Sequence, residues 1–73
     1  PDELAYLRQQ CDILLTAIFS MSEPCRDVFL LRKLDELSYH DIAARLAISE
    51  KTVQRRLVQS MLHINRYISF YFY

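Results

Sequence analysis

The side chains best suited to chemistry in this chain are the cations and amides of ISEKTVQRRLVQS, residues Ile48 to Ser60. Read as a helix turning about 100° per residue, Lys51, Arg55, Gln59 and Arg66 fall within about 40° of the direction opposite Val53 and Leu57. Gln54 and Glu50 lie towards one flank and Arg56 towards the other. Arginine or lysine can pair with guanine O6 and N7, glutamine with adenine N6 and N7, and glutamate with cytosine N4. The chemistry on offer is therefore hydrogen-bond readout of base edges. Arg56, with Arg45 from just upstream, better suits a phosphate, as do the unpaired amides at the helix start. A solvated charged face has the same composition, so the decision falls to the elements that hold these residues.

Other chemistries are poorly served. The chain has no glycine, which excludes phosphate-cradling GxGxxG and GxxxxGK loops. His40 and His63 stand alone, no Ser/His/Asp or Cys/His set can be nominated, and there is no CxxC or paired-His spacing for zinc. We expect no enzyme, no cofactor and no metal. Cys11 and Cys25 read as two buried small hydrophobes rather than a disulfide. No apolar run of membrane-spanning length exists, so the expectation is a cytoplasmic protein without membrane insertion. Because it begins at Pro1, the chain is expected to be a piece of a longer one.

Net charge is zero, yet its distribution is uneven. Residues 1–41 hold eight acids and four bases, net −4; residues 42–73 hold five bases and one acid, net +4. A basic end on a neutral domain steers an anionic partner to one face.

Stepping along the chain, the apolar period is helical throughout, and one domain over residues 1–73 is expected. Asp2 can cap a first helix of about 3–20, with Leu4, Leu7, Cys11, Leu14, Leu15 and Ile18 on one stripe for the core. Ser22 as cap and Pro24 in the first turn open a second, about 23–35. Ser38 and Asp41 form an S-x-x-D capping box for a third, about 39–46. Ser49 caps a fourth, about 50–68. The expected architecture is all-α, four helices containing a helix-turn-helix. Ile42 and Leu46 share a face, Ala43 is small where the helices cross, Ile48 plugs the angle, and Val53 and Leu57 supply the buried side. Ala47 stands where the turn favours glycine, and a positive φ there costs on the order of 1 kcal/mol.

Two apolar surfaces exceed what this core needs. The second helix carries Val28, Phe29, Leu31 and Leu34, wider than one core-facing stripe. On the fourth, Met61, Ile64 and Ile68 continue the Val53–Leu57 side, while Val58 and Leu62 point away from it. With Tyr67, Phe70, Tyr71, Phe72 and Tyr73 the end becomes apolar nearly all round, the pattern of a buried helix. A docking site for another protein segment is expected there, at Val58, Leu62, Tyr67 and Phe70.

MSEPCRDVFLLRKLDELSYHDIAARLAISEKTVQRRLVQSM closely resembles region 4 of bacterial sigma-70-type factors, especially the extracytoplasmic-function group. The matching motifs are Leu37-Ser38-Tyr39, Asp41-Ile42-Ala43, Ile48-Ser49 and Thr52-Val53. The resemblance implies a domain that docks on the β-subunit flap of RNA polymerase and binds the promoter −35 element in the major groove. By position it puts Ser49, Glu50, Lys51, Gln54 and Arg55 towards bases, with Arg45, Thr52 and Arg56 near the backbone. It also implies that Val28, Phe29, Leu31 and Leu34 contribute to the flap contact. For the apolar end the expected occupant is a segment of an anti-sigma factor or membrane-bound sigma regulator, or the rest of the parent protein. The LuxR-type output domain of transcription regulators has a similar Ile-Ala-x-x-Leu-x-Ile-Ser-x-x-Thr-Val core. A protein-interaction module that never touches DNA is the other alternative.

Overall fold

The computed structural model describes residues 2–72, with side chains through Phe70. The chain is all-α: α1 is Asp2–Phe19, α2 Glu23–Lys33, α3 Tyr39–Leu46 and α4 Glu50–Phe72. Asp2 is itself helical, so it does not cap α1 from outside. Ser22 has the extended backbone of an N-cap, but its hydroxyl makes no capping bond; Pro24 sits in the first turn as expected. α2 ends two residues early, because Glu36 turns left-handed at φ 55°. Arg32 closes that corner. Its guanidinium donates to the Leu37 carbonyl at 2.9 Å and lies 5.1 Å from the centre of the Tyr39 ring, a cation–π distance. α4 runs on to Phe72 since no proline or glycine interrupts it.

α4 is the spine of two cores. Under the helix-turn-helix, Val28, Ile42, Ala43, Val53 and Leu57 form one buried cluster, flanked by Leu37, Tyr39, Leu46 and Ile48. Farther along, Ala17, Ile18, Met21 and Ile64 form the second, with Cys25, Leu30, Tyr67 and Ile68 against it. Phe29 packs on both. Between them lies Ser60, fully buried. Its hydroxyl hydrogen is shared by the Cys25 carbonyl at 2.9 Å and the Arg56 carbonyl at 2.8 Å. The small side chain lets α2 approach α4 closely, and the bond across the gap fixes the crossing.

This corrects the expected buried line of α4. It runs Val53, Leu57, Ser60, Ile64, whereas Met61 is exposed. Apolar character alone favoured Met61; the close approach of α2 selected the residue with the smaller side chain instead. The α1 stripe is also corrected. Ile18 is buried, but Leu4, Leu7, Leu14 and Leu15 are exposed, because only the last turns of α1 pack on α4. The domain spans 45 × 21 × 15 Å, too thin to cover more than one side of α1. Cys11 is exposed, Cys25 half-buried, and both are free thiols. Burial of both was expected, and Cys11 escapes it by lying on the uncovered part of α1.

Candidate nucleic-acid interface

The helix-turn-helix is built from two caps and one strained residue. At the start of α3 the Ser38 hydroxyl accepts from the Asp41 amide at 3.1 Å, which satisfies one of the orphan donors of a helix start. α3 stops at Ala47, which takes the left-handed conformation at φ 57°, ψ 46°. The Ile48 amide then donates back to the Ala43 carbonyl at 3.0 Å, the bond that reverses the chain after a left-handed residue. Ser49 opens α4, its hydroxyl accepting from the Thr52 amide at 3.1 Å and sharing a hydrogen bond of 2.9 Å with the Thr52 hydroxyl. Ile42, fully buried, and Val53, also fully buried, lock the two helices together. The start of α4 is thereby presented outward.

Glu50, Lys51, Gln54 and Arg55 are all exposed, as is Arg45 on α3. They form a polar surface over the first two turns of α4, rimmed by a small niche of His40, Ala43, Ala44, Ile48, Ser49 and Glu50. His40 Nδ1 stands 3.6 Å from a Glu50 carboxylate oxygen, joining the starts of α3 and α4 when the imidazole is protonated. Such an exposed pair contributes little to stability.

Some expected readers have other employment. Ser49 and half-buried Thr52 spend their hydroxyls on the cap, so Ser49 acts first as the residue that aims α4. Gln59 is exposed, but its side-chain oxygen faces the Cys25 thiol at 3.5 Å, which draws it towards α2 and away from the cations. Arg56 is half-buried in a niche with Glu23, Pro24, Asp27 and Leu46. It stands beside acids of α2, although among the described residues no carboxylate comes within ion-pair distance.

The apolar candidates divide. Val28 is 0% exposed and belongs to the core, so its side chain has no surface to offer the polymerase flap: α2 turns that residue onto α4. Phe29 and Leu31 are half-buried against the core. Leu34, 73% exposed, is the one fully presented side chain of the four. Val58 and Leu62 line a groove of ≈ 550 Å³ with Lys33, Tyr39, Met61 and Ile68. Tyr67 and Phe70 line a different niche with His63 and Arg66. The expected four-residue patch is thus two surfaces on different sides of α4, since residues 58 and 67 are about 180° apart around a helix. The remaining aromatic side chains, Tyr71 to Tyr73, lie outside the described residues.

The groove is a feature that the sequence reading missed as a unit. Val58 and Leu62 were legible as a stripe, but Tyr39 and Lys33 join it only through the turn held by Arg32. Among the described residues, no three His, Cys, Asp or Glu side chains gather as metal ligands, and no helix is long and apolar enough to cross a membrane.

No curated protein and no solved structure matches the chain. The sequence model of one family, described as Sigma-70, region 4, matches residues 11–64. That span takes in the second half of α1, all of α2 and the whole helix-turn-helix, and the chain belongs to the sigma-70 region 4 family.

Proposed function

We propose that this chain is region 4 of an extracytoplasmic-function sigma factor, working in the cytoplasm, and that α4 reads the promoter −35 element with its first two turns. Region 4 is the DNA-binding, non-enzymatic helix-turn-helix of sigma factors, which serves RNA polymerase in transcription initiation. The observation that carries the reading is the pair of devices at its start. Left-handed Ala47 and the Ser49 cap aim α4 so that Glu50, Lys51, Gln54 and Arg55 share an exposed face.

Lys51 and Arg55 supply guanine-directed donors, Gln54 an adenine-directed amide and Glu50 a cytosine-directed acceptor. Arg45, Thr52 and Arg56 flank this face and take the phosphates, fixing register without reading sequence. Leu34, with the outer edges of Phe29 and Leu31, contributes to the contact with the β flap. The groove at Val58 and Leu62 receives a segment of an anti-sigma factor or membrane-bound sigma regulator. Its apolar lining and the exposure of both side chains support that role.

The test uses this domain fused to the polymerase flap and selected against a randomised −35 library. Arg55→Ala should relax preference at one base position by about 1–3 kcal/mol. Arg56→Ala should weaken all sequences alike and lower the dependence on salt, because one phosphate contact and its released counterion are gone. Equal losses on every sequence for both variants would overturn the division of roles. Affinity insensitive to salt would remove the DNA reading itself.

A further inference from the structure

We propose that the uncovered face of α1 pairs with α1 of a second copy of this chain, as a parallel, in-register two-helix seam. Leu4, Leu7, Cys11, Leu14 and Ile18 succeed one another at spacings of three, four, three and four. That is the a/d pattern of a coiled-coil seam, with leucine at both d positions, 7 and 14. Within the domain only Ile18 of these is buried; Leu4 is 71% exposed, Leu7 55% and Leu14 41%. The seam borders the side of α1 that meets α4, and its last member, Ile18, already belongs to the core there. Taking buried Ala17 as the direction of α4, the seam lies about 100° round the helix. A partner can therefore reach Leu4, Leu7, Cys11 and Leu14 without displacing α4, while Ile18 stays in the domain's own core.

Charge chooses the occupant. With Leu4 at a, Glu3 takes a g position and Arg8 the e position that follows it. In a parallel pair, g of one helix meets e of the other five residues on. Glu3 of each copy then faces Arg8 of its partner, twice by symmetry. Among the described residues Arg8 makes no ion pair, even with Asp12 four residues on. An antiparallel pair sets e against e and g against g, so Glu3 and Arg8 no longer meet. The parallel register also sets Cys11, an exposed free thiol, directly against its counterpart at an a layer. The Cα separation there, roughly 6 Å, is within the range that a disulfide spans. This pairing does not depend on the DNA reading, and its failure would leave that reading untouched.

Two heptads make a weak seam, so the test combines equilibrium with trapping. The whole chain is examined by sedimentation equilibrium from roughly 10 µM to 1 mM, then treated with diamide, which takes up the two electrons and two protons released as two thiols join. The expected result is a concentration-dependent dimer that diamide locks through Cys11: Cys11→Ser abolishes the cross-link and Cys25→Ser leaves it. Leu7→Glu and Leu14→Glu, at positions solvent already reaches, should slow cross-linking at least about tenfold with helical content unchanged by circular dichroism. Glu3→Arg should weaken the dimer, and Glu3→Arg with Arg8→Glu should restore it. A monomer at every concentration, cross-linking indifferent to Leu7→Glu and Leu14→Glu, or no restoration by the charge swap would each overturn the proposal.

Discussion

Ala47→Gly should stabilise this domain, and Ala44→Gly, three residues earlier, should destabilise it. Ala47 occupies φ 57°, ψ 46°, close to the centre of the left-handed well. An L-residue pays roughly 1–2 kcal/mol there, from its Cβ against the following carbonyl. Since the angles are near the minimum of the well, the lower end of that range applies. Glycine removes the clash but loosens the unfolded chain, which offsets about 0.4–1 kcal/mol. The Ala47 side chain is exposed, so almost no buried area is lost with its methyl group. The net gain is roughly 0–0.6 kcal/mol, a rise in Tm of at most about 2–5 °C for a domain this small. Ala44 is equally exposed but sits inside α3, where glycine loses about 1 kcal/mol of helix propensity. Urea and thermal unfolding followed by circular dichroism would measure both. The opposite signs are the diagnostic. If Ala47→Gly destabilised the domain as much as Ala44→Gly, residue 47 would be helical in solution and the turn argument would fail.

Two further outcomes follow from the packing around α4. Ser60→Ala should cost only about 1 kcal/mol, the interhelical hydrogen bond, whereas Ser60→Leu should cost about 2–3 kcal/mol or more by forcing α2 off α4, both read from urea midpoints. Val28→Ala should destabilise by about 2 kcal/mol through a core cavity, while Leu34→Ser should leave stability nearly unchanged and weaken flap binding in a pull-down with polymerase core.

The helix-turn-helix was legible because each of its signals is local. Ser38, Asp41 and Ser49 act within three residues of themselves, so α3 emerges with the expected ends, 39–46, and α4 starts where its cap requires. The end of α2 was less legible: a left-handed Glu36 carries no glycine to announce it. Even the αL turn at Ala47 was inferable only from the motif around it. Membership of the sigma family rests on more than that core, since the matched span reaches back to residue 11, through helices that a LuxR-type likeness did not share.

Face assignments failed where two apolar stripes competed for one neighbour. Periodicity says which residues share a side of a helix; it does not say which side meets another element. On α4 a line through Met61 and a line through Ser60 differ by only one helical step, and it was the approach of α2, with the Cys25 carbonyl waiting for a hydroxyl, that decided between them. Val28 followed from the same contact, drawn inward when Leu34 was left out. α1 is the opposite case: its apolar stripe is longer than the surface that α4 offers, so its first three turns keep leucines in water. These failures share a cause. Each is a place where a helix carries more apolar surface than four helices can bury, and in a domain with such small cores that surplus stays open to solvent. The basic face of α4 and its apolar second half are then consequences of one geometry. The Ser60 crossing holds α2 against the middle of the helix, leaving its start free for DNA and the side bearing Val58 and Leu62 open as a groove.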